Sequence, residues 1–180
     1  ERARRCVELA PKKLGRKGLN FIGTSLDGTR QIHDSIRAQE GAYDKTIRGI
    51  SQVVRFKNEM GKRCPLIHVN TVIQEENVDC LPDLPGVLAE VGVDVLNLLT
   101  ENRSFDLPNL GQVDPSVFKR SDIEEKKIDR ERLSMALRAT LANAERLGLE
   151  VRMPRMPFEE LLNHYDNGYD LRNFECRAIW

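Results

Sequence analysis

The chain has 180 residues, 40% hydrophobic and 31% charged, the proportions of one ordinary globular domain. Its 28 basic and 28 acidic residues cancel, which argues against a dedicated nucleic-acid surface. No apolar run approaches the roughly 20 residues of a membrane span, and no signal peptide is expected behind the opening Glu1-Arg2-Ala3-Arg4-Arg5.

The first 18 residues mix charge with Val7, Leu9 and Leu14, and Pro11 interrupts any long helix. Residues 19–26, a short run bounded by glycines, read as a strand that Asp27-Gly28-Thr29 breaks. Residues 30–42 read as a polar loop. Asp44 is then placed to cap a helix running to Met60, with Ile47, Ile50, Val54 and Phe56 as its apolar stripe and Gly61 as its stop. Residues 66–73 form the second strand, apolar on both faces as in a buried parallel sheet. Residues 77–91 should be helical in their second half, with Pro82 and Pro85 in a first turn that tolerates them, and Gly92 should end that helix.

Residues 93–99 form the third strand. Residues 101–123 are polar, carry Pro108 and Pro115, and look like a long excursion. Residues 129–147 have the clearest helical period, with Leu133, Leu137, Leu141 and Ala144 on one face and Gly148 after them. A short strand at 149–153 and a short helix at 158–165 follow. Strand, helix, strand, helix, strand with short connections is the pattern of βαβ units in a parallel α/β sheet.

One segment carries candidate chemistry: Ser25-Leu26-Asp27-Gly28, followed by His33-Asp34 and Arg37. In a parallel α/β barrel the C-terminal strand ends face the active site. Ser25 and Asp27 lie there and should share one side of the strand. A hydroxyl and a carboxylate suit ribose hydroxyls or an amine, and the fork of Arg37 suits a carboxylate. Asp-Gly after a strand is also an ordinary turn.

Ser25-Leu26-Asp27-Gly28, then His33-Asp34, Arg37 and Gly41-Ala42-Tyr43-Asp44, resembles the fourth strand and loop of radical S-adenosylmethionine enzymes. The likeness is closest to the branch with a C-terminal cysteine-rich SPASM domain. Residues 69–73, with Asn77 after them, resemble the fifth strand, and residues 93–99 the sixth. The resemblance implies a partial (β/α)6 TIM-like barrel with parallel strands and crossover helices over residues 1–100, an extension and linker over 101–172, and the start of a SPASM segment over 173–180.

By that likeness Ser25 contacts the ribose of S-adenosylmethionine, Arg37 its methionine carboxylate and Leu98 its adenine. Asp27 belongs to the same cofactor-binding motif, and His68 and Asn70 face substrate or are satisfied polar groups inside the barrel. Cys176 would be the first ligand of an auxiliary iron–sulfur cluster, or an unremarkable thiol. The main four-iron four-sulfur cluster needs CxxxCxxC, which the chain lacks, as it lacks the Gly-Gly-Glu stretch that binds the methionine amine. Both are expected upstream of residue 1, in keeping with a chain that does not begin with Met.

The implied reaction is reductive cleavage of S-adenosylmethionine and hydrogen abstraction from a peptide or small-molecule substrate, with a flavodoxin or ferredoxin as electron donor and no membrane or nucleic-acid partner. The 101–128 and 152–155 regions are candidates for substrate contact. The 180 residues alone are expected to be inactive and poorly soluble, because three strands leave an open sheet edge. Scattered Cys6, Cys64 and Cys80 read as small buried hydrophobes in a reduced, cytoplasmic setting. Two other readings stay open: a cluster-less homologue acting as a binding domain, and an unrelated α/β-barrel enzyme, which predicts a glycine-rich phosphate loop that is not found.

Overall fold

Two apolar strand runs and one strongly periodic helix dominate the architecture. The computed structural model describes residues 1–101 and 127–166. Helix α1 (Arg2–Leu9) precedes strand β1 (Phe21–Ser25), helices α2 (Arg30–Ile36) and α3 (Ala42–Glu59), and strand β2 (Leu66–Ile73). A 3-10 segment (Val78–Asp83), helix α4 (Leu84–Glu90) and strand β3 (Val95–Thr100) follow. Helix α5 (Arg130–Leu147), strand β4 (Glu150–Arg152) and helix α6 (Phe158–Asp166) complete the described chain.

The strands lie in the order β1-β2-β3-β4, and every pair is parallel. Helices cross over between consecutive strands, as the alternating pattern requires. The sheet is open. The four described strands form no closed barrel, and β1 and β4 are its edges. Among the described residues no helix is long and apolar enough to cross a membrane.

β2 differs from the two-sided apolar strand read from sequence. Ile67, Val69, Thr71 and Ile73 are fully buried, while Leu66, His68, Asn70 and Val72 are only half-buried. Every helix after β1 except α2 supplies buried residues to one core under that first set: Ile50 and Val53 from α3, Leu84 and Leu88 from α4, Leu133 and Leu137 from α5, Leu161 and Tyr165 from α6. The Tyr165 hydroxyl donates to the Ile73 carbonyl (2.9 Å) and accepts from the Glu101 N–H (3.0 Å), which ties α6 to the ends of β2 and β3.

Caps explain the boundaries. The Asp129 carboxylate accepts from the Arg132 N–H (2.8 Å), and Gly148 closes α5 in the left-handed region at φ 68°. The 30–42 segment is not a loop: residues 30–36 form α2. Nor does Asp44 cap α3. The Asp34 carboxylate does, accepting from the N–H groups of Gly41 and Tyr43 (2.8 Å each). These bonds hold the Asp34 carboxyl below its ordinary pKa, with Tyr43 the larger cause. The first half of 77–91 is also ordered, as the 3-10 segment.

Candidate functional site

In a parallel sheet, residues partnered across strands point to the same side, and neighbours along a strand to opposite sides. The helix-covered side contains Ile67, Val69, Thr71, Leu96 and Leu98, each at most 1% exposed. The other side carries none of the described helices and is open among the described residues. There the register aligns Ser25, Asn70, Asn97 and Arg152 in one row across all four strands. Asn97 Nδ2 donates to Asn70 Oδ1 at 2.8 Å within it.

One step toward the N-terminal ends, Gly23, His68, Val95 and Glu150 form the next row. The Phe21 ring, 60% exposed, stacks on His68 with centroids 5.2 Å apart. His68 Nε2 is buried and has no hydrogen-bond partner among the described residues. Burial lowers the His68 pKa, and the positive charge of Arg152 adds to that.

At the end of β1 the backbone turns under Asn77, itself fully buried. Asn77 Nδ2 donates to the carbonyls of Asp27 (2.8 Å) and Val72 (2.7 Å), so β1 and β2 end at a fixed relation. Thr71 Oγ1 donates to the Leu26 carbonyl at 2.6 Å. Gly28 has no alternative here: a Cβ would lie 2.8 Å from both Cys80 Sγ and Ile32 Cγ2. The Asp-Gly pair is therefore a packed corner rather than a free turn.

Asp27 is 1% exposed. Arg37 Nη2 approaches Asp27 Oδ2 to 2.6 Å, an ion pair whose alignment makes no hydrogen bond. The Arg37 side chain keeps 42% of its surface in solvent, so the rest of its fork stays available. His33 lies behind this pair. Its Nδ1 accepts from the Asp27 N–H at 3.0 Å and lies 3.4 Å from Asp27 Oδ2. A ring nitrogen that accepts carries no proton, so this geometry requires neutral His33. Burial lowers the His33 pKa, against the opposing pull of Asp27.

A base whose folded pKa is depressed binds its proton more readily when unfolded. Stability is then complete above the unfolded pKa of 6.5 and declines as pH falls through it. His33→Asn retains an acceptor but cannot titrate. Denaturant unfolding between pH 7.5 and 5 should show a shallower loss for this variant than for wild type, by at most about 1.4 kcal/mol per pH unit. His68 contributes loss of the same sign in both proteins, and Asp34 acts only near and below 3.8. Parallel curves would remove His33 from this role.

The structure thus brings Ser25, Asn70 and His68 to the open side, and pairs Asp27 with Arg37 at the strand end. Leu98 is not brought there: it lies on the helix-covered side, 1% exposed, whereas Leu99 is 41% exposed on the open side. Cys176 lies outside the described residues. Sequence reading missed Asn97 and the service of His33 to Asp27; the only signal for Asn97 was a polar residue inside an apolar strand. Among the described residues no group of three or more His, Cys, Asp or Glu could hold a metal, so their donor set does not fit an iron–sulfur cluster.

No family model matches the chain. It is similar to Fe-coproporphyrin III synthase of Methanosarcina barkeri, 33% identical over 79 residues, which is 44% of this chain and 18% of that protein. It is also similar to the tungsten-containing aldehyde ferredoxin oxidoreductase cofactor-modifying protein of Pyrococcus furiosus, 28% identical over 108 residues, 57% of this chain and 30% of the relative. The chain therefore spans less than a third of the length of either of these distant homologues.

Proposed function

We propose that the chain is the portion of a radical S-adenosylmethionine enzyme that grips the nucleoside and methionine carboxylate and forms one wall of the substrate cavity. The observation that carries this reading is the strand-end arrangement: Ser25 on the open side at the end of β1 and, two residues on, buried Asp27 holding the half-exposed Arg37 fork. The two distant homologues, both of the radical S-adenosylmethionine family, support it.

The residues suit the cofactor in part. Arg37 would take the carboxylate, Ser25 a ribose hydroxyl, and Leu99, rather than the buried Leu98, would lie against the adenine. When bound and reductively cleaved, S-adenosylmethionine supplies hydrogen-atom abstraction from substrate. The relatives' names, an iron coproporphyrin and a tungsten-enzyme cofactor, favour a small-molecule cofactor as substrate over the peptide implied by the SPASM likeness. The barrel's closure, its cluster, a SPASM segment from Cys176 and an electron donor belong to the same proposal, which concerns the whole protein.

Calorimetric titration of S-adenosylmethionine into the full-length protein tests it. Arg37→Ala should weaken binding about tenfold or more, the worth of a charge-assisted hydrogen bond. Ser25→Ala should weaken it by a smaller factor. Unchanged affinity in both variants would leave the reading without its main support.

A further inference from the structure

The row Ser25–Asn70–Asn97–Arg152 has a chemistry that the nucleoside contacts do not use. Its far end is a guanidinium. Arg152 sits on edge strand β4, its side chain 52% exposed, and its one ion pair among the described residues is Nε to Glu150 Oε1 at 2.7 Å. That pair occupies Nε and leaves both Nη nitrogens without an ion partner among the described residues. Next to it, Asn97 spends one N–H on Asn70, so the Asn70 amide nitrogen is left as a donor on the open side. One row back, His68 Nε2 is buried without a partner among the described residues. A buried polar atom left unpaired costs free energy, and such groups in folded proteins are nearly all satisfied. A bound molecule lying across these two rows would satisfy it.

We propose that the open side binds a carboxylate-bearing substrate, with Arg152 taking the carboxylate through its Nη pair and Asn70, Asn97 and His68 hydrogen-bonding the body of the molecule. The guanidinium fork matches a carboxylate bidentately. Glu150 opposes an anion from one row away, and by holding Nε it also fixes the direction of the fork. Strand register places this site on the same row as Ser25. Its position beside the nucleoside rests on the proposed function; the carboxylate site itself does not.

Glutarate and the peptide acetyl-Ala-Glu-Ala-amide present the same carboxylate from a small molecule and from a polypeptide, and dimethyl glutarate presents none. Saturation-transfer NMR titrations of each against the full-length protein should show saturable binding of an acid and none of the ester. Tighter glutarate binding assigns a small-molecule source, and tighter peptide binding a polypeptide one. Arg152→Gln should weaken the tighter acid about tenfold or more, whereas Glu150→Gln should tighten it by removing the competing carboxylate. Both variants change exposed side chains on an edge strand, so a folding failure is not in prospect. Equal binding of acid and ester, or acid binding indifferent to both substitutions, overturns the proposal. S-adenosylmethionine affinity, measured on the same samples, reports separately on the proposed function and should be unaffected by Arg152→Gln.

Discussion

Leu98→Ala is expected to destabilise the fold by about 2–5 kcal/mol, the cost of truncating a fully buried leucine, and to leave S-adenosylmethionine affinity unchanged. Leu98 is 1% exposed in the core shared by β3 and the helices, so nothing can refill its volume without moving packed side chains. Leu99→Ala should do the opposite. Leu99 is 41% exposed, which keeps the stability change within about 0.5 kcal/mol, while the adenine proposed to lie on the open side would lose its apolar contact. Urea unfolding and calorimetry on the two variants decide the matter. A loss of affinity confined to Leu98→Ala would mean that β3 presents its other face to the cofactor.

That choice between neighbours shows where sequence reasoning stops. Val95-Leu96-Asn97-Leu98-Leu99 is apolar on both sides of the strand, and a phase error of one residue turns every side chain over. Only the pairing of Asn97 with Asn70 and of Leu98 with Thr71 fixes which leucine faces the core. β2 was legible to the residue, because five apolar residues among eight, mostly β-branched and bounded by Pro65 and Gln74, allow little else. α5 was equally plain, having a clear helical period over 18 residues and an aspartate cap.

α2 was not legible. Seven residues give too little periodicity, and its buried residue is a histidine whose ring is held by the Asp27 N–H, a contact no local pattern encodes. The capping of α3 failed for a similar reason. Asp34 reaches forward from α2 to Gly41 and Tyr43, so the cap belongs to the α2–α3 corner rather than to the residue preceding the helix. Ser25 and Arg37 could be named as candidates from the motif, and the structure puts them at the C-terminal end of β1 and at the end of the helix after it. What the motif does not encode is that Asp27 is buried at 1% exposure and ion-paired to Arg37.

The burial of Asp27 makes the Asp27–Arg37 pair strongly coupled. Arg37→Ala should leave a carboxylate at 1% exposure without its counter-charge and reduce stability by about 2 kcal/mol. That is below the full penalty for breaking a buried pair, because the Arg37 side chain is 42% exposed and solvent screens the interaction. Asp27→Asn preserves the shape of the corner and removes the charge that needs a partner. In the Arg37→Ala/Asp27→Asn double variant most of the lost stability should return, so the two single costs will exceed the double by about 1–2 kcal/mol. S-adenosylmethionine affinity should not return with it, since the fork proposed to take the methionine carboxylate is still missing. Recovery of stability without recovery of binding would separate the ion pair with Asp27 from the ligand contact proposed for Arg37. Additive single costs would show instead that Arg37 is held by solvent and helix geometry alone, with Asp27 buried for another reason.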